Sequence, residues 1–247
     1  LVEQERSVVW QPGSIATLPP AGTVHVWRAS LIQPPAIAQQ LAQSLSPDEQ
    51  ARVERFRFVQ HQQRSLISRG LLRSLLGRYL QTDPATLKFD YEAHGKPVLS
   101  RSPGWPNVQF NLAHSQDLVV YAIAVNCPVG IDVEYQRAMT DMVEIAQRFF
   151  STSEQQALQK LSGAAQKTAF FDYWTGKEAV LKATGQGLAG LSSVEIVLPG
   201  CTLYLQGDLA QRYPVSSWKI RLFEPEENYS GAIAIPWPAA EFLFFDW

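Results

Sequence analysis

An α+β protein made of two similar halves is what this chain predicts, and three observations carry the prediction. Helical stretches followed by strands occur twice in succession. Each helical stretch contains the same start signal, SPDE at Ser46–Glu49 and STSE at Ser151–Glu154. The apolar runs are strand-sized, the longest clean one being LVVYAIAV at Leu118–Val125. With 247 residues, 46% of them hydrophobic, the chain can bury a real core as one large domain or two modest ones. The halves are expected to meet near Asn126, giving residues 1–126 and 127–247. No sequence identity between them is visible, so the order of elements alone suggests the duplication.

Taken in order, turn-rich prolines (Pro12, Pro19, Pro20) lead into TVHVWRASL as a strand and AIAQQLAQSL as a short helix. In SPDE, Ser46 can cap a helix, Pro47 suits its first position and Glu49 completes a capping box. A longer helix is predicted from about Gln62 to Leu80, where Leu66, Ile67, Gly70, Leu71, Ser74 and Leu75 form a helical stripe. The strands LKFDY, VQFNL, LVVYAIAV and GIDVEY follow. In the second half MVEIAQRFF is helical, STSE opens a second capped helix, and KTAFFDYWTGKEAVLKAT is a long helix closed by Gly185. The strands SVEIVL, TLYLQ, SWKIRLFE, GAIAIPW and EFLFFDW end the chain, with room for two of them to cross to the first half.

Composition narrows the functional classes. A net charge of −2 gives no whole-molecule attraction to nucleic acid or an anionic membrane, and no apolar run is long enough to cross a bilayer. Cys127 and Cys201 cannot make a disulfide framework and no CxxC is present. The opening LVEQERSVVWQPG lacks a basic start followed by an apolar core, so no signal peptide is expected and a cytoplasmic address fits. Charge is uneven locally: Arg52, Arg55, Arg57, Arg64, Arg69, Arg73 and Arg78 face one acid, Glu54. Such a segment is either a solvated helix surface or a patch for a phosphate-bearing ligand or acidic partner.

Two motifs hold the chemistry. In GIDVE, Gly130–Glu134, strand alternation puts Ile131 and Val133 on one face and Asp132 and Glu134 on the other, roughly 7 Å apart at Cα. Like charges so placed repel unless they face open water or a bound cation. In WTGKEAVLK, Trp174, Glu178 and Lys182 are spaced by four and share one helix face, with Lys177 and Leu181 alongside. Glu178 and Lys182 could be only a surface ion pair. Taken with GIDVE, the three carboxylates are hard oxygen donors of the kind Mg²⁺ takes when it binds a substrate phosphate, with a lysine for the remaining charge. FNLAHS, Phe110–Ser115, adds His114 at a strand end, and GKP, Gly95–Pro97, adds an exposed Lys96 in a turn; either residue could be purely structural.

The ordered series FNLAHS, GIDVE, FFSTSE, WTGKEAVLK resembles the Sfp-type 4'-phosphopantetheinyl transferases, whose pattern runs approximately FN(I/L)SHS, GIDIE, FF followed closely by Glu, then WxxKEAxxK. With GKP, the motifs span Gly95–Lys182. Four motifs in order are far more specific than any one of them. The resemblance implies a monomeric pseudo-dimer of two α/β halves with the active site in the cleft between them, the coenzyme A 3'-phosphate on the first half and the metal and catalytic residues on the second. It implies a holo-[acyl-carrier-protein] synthase reaction: 4'-phosphopantetheine passes from coenzyme A to a serine hydroxyl of an apo acyl, peptidyl or polyketide carrier protein, with Mg²⁺ (or Mn²⁺), releasing 3',5'-ADP. By position, Asp132, Glu134 and Glu178 would be the metal residues and Lys182 would hold the diphosphate. His114, Arg64, Arg52 and Lys96 would contact phosphates of coenzyme A.

An alcohol attacking a crowded diphosphate needs positive charge on the reacting and departing oxygens and an acceptor for its proton. Asp132, Glu178 and Lys182 are the catalytic candidates. Glu178 is the expected acceptor, with Glu154 or a metal-bound water as rivals, and Glu154 could equally be only a capping residue. Two positions depart from the pattern: Ala113 replaces the usual Ser of FNxSHS, and Glu49 lies where some relatives have a base. GQGLAG, Gly185–Gly190, matches a dinucleotide fingerprint in letters only, since it closes a helix and leads to a strand. A Mg²⁺-dependent diphosphate hydrolase and a non-catalytic carrier-binding module are the rival classes. The first lacks a glutamate-dense helix; the second would have no use for Asp132, Glu134, Glu178 and Lys182.

Overall fold

The alternation along Leu118–Val125 sets the layering of the molecule. In this strand (β6) Val119, Tyr121 and Ile123 enter one core, while Leu118, Val120, Ala122 and Ala124 enter another. A strand apolar on both faces must be covered twice, and it is. The computed structural model describes residues 6–13, 17–92 and 95–247. The first residues of the stretch without an expected signal peptide lie outside the described ones. None of the helices described is long and apolar enough to cross a membrane.

β6 lies in a five-stranded sheet with β1 (Trp10–Pro12), β12 (Glu241–Asp246), β2 (Thr23–Ser30) and β5 (Val108–Ser115), in the order β1-β12-β2-β6-β5. On its outer face α1 (Pro35–Gln43) and α3 (Val59–Leu80) bury Leu41, Leu71, Leu72, Leu75 and Leu76 against Trp27, Tyr121 and Phe245. α2 (Pro47–Glu54) precedes α3. The inner face meets a three-stranded sheet, β10 (Lys219–Phe223), β11 (Tyr229–Ile235) and β7 (Gly130–Tyr135), through Val120, Ala122, Ile131, Val133, Ile233 and Ile235. Beyond that sheet, α6 (Gly163–Thr184) with α4 (Met142–Phe149) and α5 (Thr152–Gln159) forms the last layer. Two short hairpins, β3 (Phe89–Tyr91) with β4 (Pro97–Leu99) and β8 (Val194–Val197) with β9 (Thr202–Leu205), flank the layers, and α7 (Gly207–Arg212) follows β9.

Local signals are realised closely. Ser46–Glu49 and Ser151–Glu154 both form capping boxes. α3 begins at Val59, before the predicted Gln62, and α6 at Gly163, before the predicted Lys167. Both helices are 22 residues long. One terminal strand crosses to the first half: β12 slots between β1 and β2, parallel to both.

Each long helix carries a buried base clipped to the capping-box acid of the helix before it. In the first half Arg73 Nε lies 2.6 Å from Glu49 Oε2 and its Nη1 donates to the carbonyls of Pro84 and Leu87. In the second, Lys177 Nζ lies 2.8 Å from Glu154 Oε2 and donates to the carbonyls of Phe149, Leu191 and Val194. Arg73 and Lys177 are each the fifteenth residue of their helix. These four charges are almost fully buried, which is tolerable only because each is paired and hydrogen-bonded.

Candidate active site

The site grows from the contact of β7 with α6. Gly130 lets them approach: a Cβ there would stand 1.9 Å from the Ala179 carbonyl oxygen, so no larger residue fits. Along β7, Ile131 and Val133 enter the core between the sheets, and alternation turns Asp132 and Glu134 toward α6. From α6, Glu178 and Lys182 come to the same place, one turn apart. Lys182 Nζ donates to Asp132 Oδ1 at 2.6 Å.

The carboxylates are crowded and partly dry. Asp132 is 5% exposed, and its second oxygen, Oδ2, is buried without a partner. Burial raises its pKa although Lys182 draws it down. Burial and the Asp132 charge raise Glu134, against a hydrogen bond from Ser115. Glu178 is pushed up to about 7, first by burial and then by Asp132, with Lys182 opposing and Glu134 adding. All three therefore sit where the ionised form lacks sufficient positive charge. Among the described residues no three His, Cys, Asp or Glu side chains converge as metal ligands. Beside Glu134, Met139, Ile145, Phe170, Phe171 and Trp174 line an apolar pocket with Arg137 at its edge.

The first half adds cations. Lys96 Nζ donates to the Lys182 carbonyl at 2.8 Å, which brings the GKP turn to the end of α6, and burial lowers its pKa. His114 reaches the surface at the end of β5. Desolvation, then the charges of Lys182, Arg64 and His61, hold its pKa below the usual histidine range. Arg64 is anchored by Asp117, through Nε at 3.0 Å and Nη2 at 2.8 Å. Arg52 lies 3.7 Å above the Tyr91 ring, next to the GKP turn in the β3–β4 hairpin.

The arginine-rich segment thus divides. Arg64 is held by Asp117 and Arg52 is stacked on Tyr91, whereas Arg73 and Arg69 are committed to Glu49, at 2.6 and 3.6 Å. Glu49 stands in the first-half clip. Glu154 is held in the same manner: Oε2 accepts from Ser151 N and pairs with Lys177, and Oε1 accepts from Ile196 N. Ala113 points into the core between the sheets, on the face of β5 opposite His114.

Three residues here escaped sequence reasoning. His61 lies one helical turn before Arg64 and adds to the positive charge felt by His114. Asn111 and Ser115, within FNLAHS, reach across to β7: Asn111 Oδ1 accepts from Ile131 N and Ser115 Oγ from Tyr135 N, both at 3.0 Å. The signal available for the last two was their spacing of four on a strand, which places them on one face.

Comparison with known proteins gives a consistent result. A family model described as the 4'-phosphopantetheinyl transferase superfamily matches residues 128–234, and one described as 4'-phosphopantetheinyl transferase, N-terminal, matches residues 32–126. The 4'-phosphopantetheinyl transferase HetI of Nostoc sp. is 41% identical over 212 residues, covering 86% of this chain and 87% of its own. A putative 4'-phosphopantetheinyl transferase of Synechocystis sp. is 34% identical, covering 78% of this chain and 79% of its own. The 4'-phosphopantetheinyl transferase Sfp of Bacillus subtilis is 29% identical, covering 78% and 83%.

Proposed function

This chain belongs to the 4'-phosphopantetheinyl transferase superfamily, and from that premise we propose that it moves 4'-phosphopantetheine from coenzyme A to a serine hydroxyl of an apo carrier protein, acyl, peptidyl or polyketide, releasing 3',5'-ADP. The observation that carries the mechanism is the cluster of Asp132, Glu134, Glu178 and Lys182 where β7 meets α6. The cation-rich edge formed by His114, Arg64, Lys96 and Arg52 would take the phosphates of coenzyme A, with Lys182 on the diphosphate.

The three carboxylates do not converge to ligand distance among the described residues, but they are hard oxygen donors of the kind a divalent cation takes. Asp132 Oδ2 is buried and unpartnered, and the raised pKa values of all three acids mark a site short of positive charge. Asp132, Glu134 and Glu178 would hold Mg²⁺ or Mn²⁺, which supplies Lewis-acid neutralisation of the phosphate oxygens when bound. The chain's own groups do the rest. The serine Oγ–P bond forms while the bond from phosphorus to the oxygen of 3',5'-ADP breaks. Glu178, one turn from Lys182 on the face of α6 that meets β7, takes the serine proton. Lys182 stabilises the charge that develops on the departing phosphate. Glu154 is a poor rival base, because both of its oxygens are already engaged.

The two-half reading goes with this function: a monomer with a pseudo-twofold relation and its site in the cleft between the halves. It is supported by the matching 22-residue helices and their matching buried clips. Intact-mass spectrometry of an apo carrier incubated with the protein, coenzyme A and Mg²⁺ tests the transfer. A mass gain of one phosphopantetheine, absent in EDTA, is expected. Consumption of coenzyme A with no gain on any carrier would instead mark a hydrolase.

A further inference from the structure

The five-stranded sheet ends at β5 and the three-stranded sheet at β7, and the two edges are not hydrogen-bonded strand to strand. Side chains bridge them instead. Asn111 Oδ1 accepts from the backbone N–H of Ile131, and four residues further along both strands Ser115 Oγ accepts from the N–H of Tyr135. These are two parallel rungs, one satisfying the buried N–H of Ile131 and the other the part-buried N–H of Tyr135. Ser115 does one thing more: its hydroxyl donates to Glu134 Oε2 at 2.9 Å.

A serine hydroxyl has a single hydrogen. The Tyr135 N–H can only donate, so Ser115 must accept there, and its hydrogen is left for Glu134. The bond therefore has a fixed direction and needs the Glu134 carboxylate as acceptor. Among the described residues, no other hydrogen bond reaches that carboxylate; Arg137 acts on it only through charge. We infer that Ser115 is the positioning residue for Glu134, holding that carboxylate turned toward the cation site, while Asn111 only keeps β5 and β7 in register. The inference rests on the metal reading above and adds a residue to it. Outer-shell hydrogen bonds to ligating carboxylates are typically worth about 10–100-fold in metal affinity or activity.

Mn²⁺ titration followed by electron paramagnetic resonance, with coenzyme A present, reads binding directly, and Asp132→Ala sets the background. Thermal melts run alongside. Ser115→Ala is expected to weaken Mn²⁺ binding by roughly 10–100-fold, Ser115→Thr to restore it, and Asn111→Ala to lower the melting temperature with Mn²⁺ affinity kept. Should Ser115→Ala not fold, Ser115→Cys, similar in size with only a weak S–H donor, replaces it in the same comparison. Parental Mn²⁺ affinity in the Ser115 variant would overturn the positioning role and leave the metal reading standing. So would equal losses in the Asn111 and Ser115 variants, because the effect would then belong to the seam. No binding above the Asp132→Ala background in the unmutated protein would overturn both.

Discussion

The α2–α3 unit and the α5–α6 unit are built alike and used differently. In both, a capping-box glutamate is buried against the fifteenth residue of a 22-residue helix, Arg73 in one and Lys177 in the other. The difference lies in the last turn and in the strand beneath. At the twentieth position α3 places Arg78 over the Trp247 ring at 4.0 Å, while α6 places Lys182 on Asp132. Under α3, β2 offers His25 and Trp27, whose ring nitrogens both meet the Tyr79 hydroxyl; under α6, β7 offers Asp132 and Glu134. The shared clip therefore serves folding in both units, and the proposed acid cluster comes from one helical turn and two strand positions of the second.

The sharpest way to break the comparison is at the sixteenth position, Glu178 in α6 and Ser74 in α3. Glu178→Gln should lower the transfer rate by about 10²–10⁴, the usual range for losing a general base, with the melting temperature held or raised, since its carboxylate is strained by burial. Asp132→Ala should abolish transfer in a folded protein, and retained turnover would remove the metal assignment. Ser74→Ala should leave carrier modification unchanged in the same mass-spectrometric assay.

Breaking the shared feature should destabilise both halves. Arg73→Ala and Lys177→Ala each remove the hydrogen-bonded base from a buried glutamate, at 2% and 1% exposure; Lys177→Ala is expected to cost about 3–5 kcal/mol in urea unfolding, and Arg73→Ala less, because Arg69 stays 3.6 Å from Glu49. Removing both members of the second pair together, Lys177→Met with Glu154→Gln, should recover much of that loss and keep transfer. Lost transfer in a stable double variant would return Glu154 to the list of candidate bases.

The halves should also differ in the sign of their pH response. His25 is 4% exposed and burial lowers it to about 4, so its contribution to stability is present above the unfolded value of 6.5 and lost as pH falls through 4. Asp172, held by Arg6 and Ser230, is raised by burial to about 6, so its contribution is full below 3.8 and lost as pH rises through 6. Each shift amounts to about 3 kcal/mol, and between pH 4 and 6 the two oppose each other. Relative to the unmutated protein, His25→Asn should gain stability toward acid and Asp172→Asn should lose it. Parallel stability curves for the two variants would refute the assignment.

What could be read beforehand was whatever a local rule decides. The two capping boxes, the two long helices and the common face of Asp132 and Glu134 follow from spacing within a few residues. In WTGKEAVLK the spacing of four put Lys182 on one face with Glu178 but left the partner of Lys177 unassigned. Lys177 turns inward to Glu154, and Lys182, five residues on, reaches Asp132. Nothing local forecasts that β12 returns to a sheet begun by β1 and β2, or that Asn111 and Ser115 serve backbone donors about twenty residues away. Those contacts depend on which sheet edges the packed layers bring together, and so do Lys96 on the Lys182 carbonyl and the Arg64–Asp117 pair.

The smallest expected effect makes the finest comparison, at the twentieth position of each helix. Arg78 is exposed, and its stacking on Trp247 is worth about 0.5–1 kcal/mol, so Arg78→Ala should shift the urea midpoint slightly and leave transfer unchanged. Lys182→Ala removes the only cation hydrogen-bonded to Asp132 among the described residues, so it should silence transfer with a modest change in stability. Two residues at one helical position, one acting on packing alone and the other on chemistry, separate what the two helices share from the acid cluster that only α6 meets. If Arg78→Ala also reduced transfer, the last turn of α3 would contribute to catalysis from a position that no ion pair ties to an acid among the described residues, and the distinction drawn between the two twentieth positions would fail.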